Sequence, residues 1–101
     1  MQARIFLLLA LPSLALAAKM PGAVLKAEVE GDTLVIYSST KKPGGCKAAL
    51  LFSYQKGGQR QMSKLECNFR VPAEDHHRFC VHSNPEFVDL KIESSIAGGC
   101  E

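Results

Sequence analysis

From Val24 onward the chain alternates in twos. Leu25, Ala27 and Val29 interleave with Lys26, Glu28 and Glu30, the period that sets apolar side chains on one face of a strand and polar ones on the other. Gly31-Asp32 predicts a tight reversal into Thr33 to Ser39, a β-branched and aromatic run that makes its hairpin partner. The breaker cluster Lys41-Lys42-Pro43-Gly44-Gly45 makes Thr40 to Gly45 an exposed connection.

Cys46 to Gln55 reads two ways. Ala48, Leu50, Phe52 and Tyr54 alternate as a strand does, while Lys47 to Leu51 is also fit to start a short helix; Phe52-Ser53-Tyr54 favours the strand. Gly57-Gly58 stands where a hairpin turn belongs, and Arg60 to Val71 resumes the alternation. Leu65, Cys67, Phe69 and Val71 fall on one face of it, and Lys64, Glu66, Asn68 and Arg70 on the other. A turn centred between Lys56 and Gly57 sets Cys46 opposite Cys67; centring it one residue later shifts the pairing by two.

Pro72 to Asp75 breaks the strand and fits either a loop or one helical turn. Arg78 to His82 reads as a short strand, Ser83-Asn84-Pro85 as a turn, and Glu86 to Glu93 as a strand with Val88, Leu90 and Ile92 inward. Ser94 to Glu101, with Gly98-Gly99, reads as an irregular tail. The pattern predicts an all-β domain, a small antiparallel sandwich or open barrel of five or six strands. The alternative is an α+β fold with one short helix, at Lys47 to Tyr54 or at Pro72 to His82.

Ahead of this pattern, residues 1–17 have the layout of a cleaved secretory signal. Arg4 gives the positive start, Ile5 to Leu11 the apolar run, and Ala15-Leu16-Ala17 the cleavage site. The run is too short for a bilayer span and Pro12 interrupts it. Residues 18–101 then form a single domain, with no membrane insertion expected once the leader is gone. At that size a core alone is marginal and staples are expected. In an oxidising compartment Cys46, Cys67, Cys80 and Cys100 make two disulfides. Three connectivities are open; the hairpin register points to Cys46 with Cys67, leaving Cys80 to join Cys100 in the tail.

Charge excludes more than it identifies. The chain has 12 basic and 10 acidic residues, and neither Lys41-Lys42 nor Arg60 with Lys64 is dense enough for a nucleic-acid groove or a membrane patch. No Gly-x-Ser-x-Gly elbow occurs, and the adjacent Glu74 and Asp75 point apart on extended chain, so a hydrolase is not expected. The cysteines lack the C-x-x-C spacing of thiol exchange. All three histidines lie between His76 and His82. On an uninterrupted strand His76, Arg78, Cys80 and His82 share a face, which makes His76, Cys80 and His82 the candidate ligands if the protein is an exported metal-binding protein. Arg78 among them and an oxidised Cys80 count against that use.

What remains is recognition. A stapled scaffold presents loops at low entropic cost, so the leading expectation is a small exported binding protein without cofactor. Its partner would be a protein or other macromolecule of the cell envelope, as for an inhibitor, immunity or assembly accessory protein. The compartment expected is the periplasm, with the extracellular medium as the alternative. The candidate contacts are Lys41 and Lys42 in one loop, His76 and His77 in Pro72 to His77, and the aromatic anchors Tyr54 and Phe87. Phe87 is either an exposed anchor beside His82 or part of a second buried face. A monomer is expected, although an open β edge can add a partner strand or self-associate.

Overall fold

The computed structural model describes residues 19–101, so the secretory leader expected at 1–17 lies outside the described residues. Seven strands follow one another: β1 (Val24–Glu30), β2 (Thr33–Ser39), β3 (Gly44–Lys56), β4 (Gln59–Val71), β5 (His77–Ser83), β6 (Val88–Ile92) and β7 (Ala97–Cys100). They form two antiparallel sheets, one ordered β1-β2-β5, the other β4-β3-β6 with β7 also paired to β3. The all-β class holds, and no helix occurs among the described residues. Both segments offered for a helix are otherwise occupied: Lys47 to Tyr54 lies within β3, and Pro72 to His82 is a loop followed by β5.

The count of five or six strands is corrected to seven among the described residues, because the tail is a strand. Its glycines explain why it did not read as one. Gly98 sits at φ 135°, and a Cβ there would lie 2.1 Å from the Lys47 carbonyl oxygen. Glycine lets the tail close onto β3 where any side chain would hold it off.

The disulfide pairing is also corrected. Gly57 and Gly58 both have positive φ, the signature of a two-residue turn centred between them, so Lys56 pairs with Gln59, Cys46 with Phe69 and Cys67 with Ala48. Across its other edge Cys46 lies directly opposite Cys100 on β7, and these two are bonded, with Cα atoms 4.1 Å apart. Cys67 bonds Cys80, which joins β4 of one sheet to β5 of the other. On the chain-entropy relation the longer loop stabilises by about 4 kcal/mol and the shorter by about 3 kcal/mol. Two disulfides with no free cysteine fit an oxidising compartment outside the cytoplasm.

The core lies between the sheets. Leu34 and Ile36 of β2 meet Ala48, Leu50 and Phe52 of β3 in one buried cluster with both disulfides, Val71, Phe79, Phe87 and Leu90. Two irregularities decide which side chains reach it. A bulge between Ile36 and Tyr37 pairs Ile36 with Cys80 and Tyr37 with Arg78, so Phe79 and Cys80 are both buried in succession. On β6, Asp89 has φ 53° beside a register shift against β3. The inward set is therefore Phe87 and Leu90, with Ile92 half-buried, while Val88 is 60 % exposed. The expectation from strict alternation that Val88 points inward is thereby corrected.

Candidate functional site

Topology brings the two candidate loops together. β2 neighbours β5 in one sheet and β3 neighbours β4 in the other, so the β2-to-β3 and β4-to-β5 connections cross between sheets side by side. Thr40 N–H donates to the Glu74 carbonyl at 3.2 Å, and Thr40 Oγ1 donates to the Pro72 carbonyl at 3.0 Å. His76 N–H donates to Ser39 Oγ at 2.9 Å. These bonds occupy the backbone and the buried Thr40, while the Lys41, Lys42 and Asp75 side chains stay in solvent. An open cleft of about 400 Å³ lies there, lined by Gly22, Val24, Ser39, Thr40, Lys41 and Asp75. With one cation and one carboxylate on its walls it suits a polar, charge-paired segment of a partner better than an apolar ligand.

Beside the loops stands a cluster that the sequence pattern did not reveal. Tyr37 points to the outer face of its sheet, and its hydroxyl donates to Glu30. Arg78 Nη1 donates to Glu30 at 3.1 Å, and the His76 ring stacks on Tyr37 with centroids 3.8 Å apart and planes 7° from parallel. The Tyr37 hydrogen bond and then Arg78 hold the Glu30 carboxyl below its ordinary range. The same bond to Glu30 raises the Tyr37 hydroxyl above its ordinary value. His76 adopts φ 52°, a left-handed backbone that lets its ring turn back over Tyr37. His77 is half-buried, with Nδ1 3.4 Å from the Glu74 carboxylate. The first hairpin supplies Glu30 and Tyr37, while Arg78 and His76 come from β5 and the loop before it, far along the chain, which is why no local motif announced the cluster.

The aromatic anchors lie elsewhere. Phe87 is only 6 % exposed, so it belongs to the buried face and the exposed-anchor reading is corrected. Its ring packs edge-on to Phe52 at 5.4 Å and to His82 at 5.2 Å, with Tyr54 at 4.7 Å. Tyr54 is half-buried in the same cluster. These rings close the end of the sandwich that carries the Gly57-Gly58 turn.

The structure likewise separates the three candidate metal ligands. Cys80 is bonded to Cys67, His82 packs against the inward-facing Phe52, and His76 stacks on Tyr37 at the outer face. The bulge after Ile36 removes the common face that an uninterrupted strand would give them. Among the described residues no group of three or more His, Cys, Asp or Glu is arranged to hold a metal ion, and no helix is long and apolar enough to cross a membrane.

A second polar network lies on the outer face of the larger sheet. Ser53 is fully buried and donates to Glu93, while Arg60 Nη1 donates to Ser53 Oγ at 2.8 Å and to the Asp89 carbonyl at 3.0 Å. Arg60 also pairs with the Asp89 carboxylate. Its work is to hold the β6 bulge against β3. No protein-family profile matches the chain, and neither a curated protein nor a solved structure matches it, so the reading of its function rests on the geometry of the loop end.

Proposed function

We propose that this chain is a small exported binding protein that engages a macromolecular partner of the cell envelope through its loop end. The observation that carries the reading is the tying of Thr40 to Pro72 and Glu74. It holds two loops in one conformation while leaving Lys41, Lys42 and Asp75 unused by the fold. A preorganised charged surface loses little entropy on binding, and a scaffold with two disulfides keeps it in shape outside the cytoplasm. The His76 ring on Tyr37 adds a flat, stacked edge beside the charges. Occlusion of a partner, as by an inhibitor or immunity protein, is the action such a surface supports. The periplasm is the preferred compartment: the leader at 1–17 has the short form common in bacterial exports, and no Asn-x-Ser/Thr acceptor follows it.

The experiment is saturable capture from an envelope extract with the oxidised protein, in parallel with a Lys41→Glu/Lys42→Glu variant of unchanged circular dichroism. A partner retained by the native protein and lost by the variant supports the reading. A partner retained equally by both, or none under several growth conditions, overturns it.

A further inference from the structure

One edge of the larger sheet is formed by β4, which pairs only with β3 among the described residues, while the shorter β6 and β7 share the opposite side of β3. Its pairing with β3 runs without interruption from Lys56 and Gln59 to Gly44 and Val71. It contains no proline, glycine or bulge to blunt it, and long regular edges of this kind pair with other strands.

The phase of its free backbone groups follows from two directions. A two-residue turn closes on a pair that exchanges both backbone bonds, here Lys56 and Gln59, so every second residue of β3 from Lys56 faces β4. On the far side of β3 the intervening residues bond outward. Glu93 N–H donates to the Leu51 carbonyl at 2.9 Å, and Gly45 and Glu101 exchange bonds of 3.1 and 2.9 Å. Both observations turn the N–H and C=O groups of Arg60, Met62, Lys64, Glu66, Asn68 and Arg70 toward the open edge.

We infer that β4 pairs antiparallel with β4 of a second copy about a two-fold axis at Leu65. This goes beyond the partner proposed for the loop end and uses a different surface. The register is selected by charge. Centred on Leu65, it places Lys64 opposite Glu66 of the second copy and Glu66 opposite Lys64 of the second copy, both in pairs whose backbone groups face each other. Moving the axis by one residue either way sets Lys64 or Glu66 against itself, and like charges directly opposite are destabilising. The Lys64 and Glu66 side chains already lie 3.1 Å apart on one face, so the dimer interleaves four alternating charges. Leu65 meets itself at the axis. Phe69, 55 % exposed beside Phe79, falls opposite Gln61 of the second copy. The outer pairs bring Arg60, already bonded to Asp89, opposite Arg70 of the second copy. Aligned over Arg60 to Arg70, the edges exchange up to about twelve backbone hydrogen bonds.

Sedimentation equilibrium of the oxidised, exported protein at low salt tests the dimer. The expected result is a monomer–dimer equilibrium that Lys64→Glu alone and Glu66→Lys alone each weaken by about tenfold or more. Dimer returns when the two variants are mixed, since each then meets opposite charges, and when both changes are placed in one chain. Amide exchange supplies a second measurement in case a variant misfolds. The amides of Met62, Lys64, Glu66 and Asn68 gain protection as concentration rises, while that of Leu65, bonded to β3, is protected throughout. A monomer at every concentration, a dimer indifferent to both charge reversals, or protection of those amides only on adding another protein overturns the proposal.

Discussion

The two ends of the sandwich are held by opposite means. At the turn end Phe52, Tyr54, His82 and Phe87 pack their rings together, and burial of large side chains does the holding. At the loop end Cys46 bonds Cys100 just inside the crossing, and backbone bonds join Thr40 to Glu74 and Gly45 to Glu101. An end secured by covalent and backbone bonds makes few demands on its loop side chains. The difference explains how Lys41, Lys42 and Asp75 remain available for a partner while Phe87, a residue type more often found at interfaces, is committed to the fold.

The largest effect is expected at the turn end. Phe52→Ala removes a side chain 1 % exposed from the centre of the ring cluster and should cost about 3–5 kcal/mol, read by chemical denaturation of the oxidised protein. A loss below about 1 kcal/mol would show that the rings are not what holds this end. Next comes the longer staple: replacing Cys46 and Cys100 together by serine should cost about 4 kcal/mol, against about 3 kcal/mol for Cys67 with Cys80. Non-reducing peptide mapping checks the premise, expecting a peptide that links Cys46 to Cys100. A larger loss from the Cys67 and Cys80 pair would mean that joining the sheets matters more than closing the longer loop.

The two ends also differ in how far they were legible in the sequence. The hairpins β1–β2 and β3–β4 follow from period-two patterning and their glycine turns, because those signals are local. The pairing of Cys46 with Cys100 was not legible. It depends on a turn register one residue from the alternative and on a tail strand whose Gly98-Gly99 hides it from propensity. Phe87 and Val88 exchanged places because Asp89 takes a left-handed backbone, held through Arg60 from β4; no pattern within β6 carries that information. Both loops are identifiable from their breakers, although the first is shorter than Thr40 to Gly45, with Thr40 buried and Gly44-Gly45 opening β3; their adjacency depends on the order of strands in both sheets. The Glu30, Tyr37, Arg78 and His76 cluster, assembled across three strands and a loop, had no local signal at all.

A smaller effect sharpens the comparison beside the loop end. Tyr37 donates to Glu30, and its ionisation is displaced upward from the ordinary 10.0 chiefly by that bond. A raised folded value means that the native state keeps its proton while the unfolded chain loses it. The associated stability is complete below the unfolded value and is lost as pH rises through the folded one. Tyrosinate absorbance should therefore show Tyr37 ionising above pH 10, and Glu30→Gln should move that step down. The depressed Glu30 carboxyl gives the acid counterpart, with stability present above its unfolded value and lost as pH falls through the lower folded one. If Glu30→Gln leaves the alkaline step in place, the hydroxyl is not bonded as described and the stacked His76 loses its fixed platform.

The smallest effect on stability is the one that bears most on function. Lys41 and Lys42 are exposed, and neither takes part in a salt bridge among the described residues. Lys41→Ala with Lys42→Ala should change unfolding free energy by no more than about 0.5 kcal/mol. Thr40→Ala supplies the contrast, since the buried Thr40 Oγ1 bonds the Pro72 carbonyl and its loss should cost about 1 kcal/mol. If the loop end is a preorganised surface, both variants weaken capture of the envelope partner, the first by removing charges and the second by loosening the loop that carries them. Should the lysine pair destabilise the fold as much as Thr40→Ala does, those side chains support the structure, and the division of labour between the two ends fails.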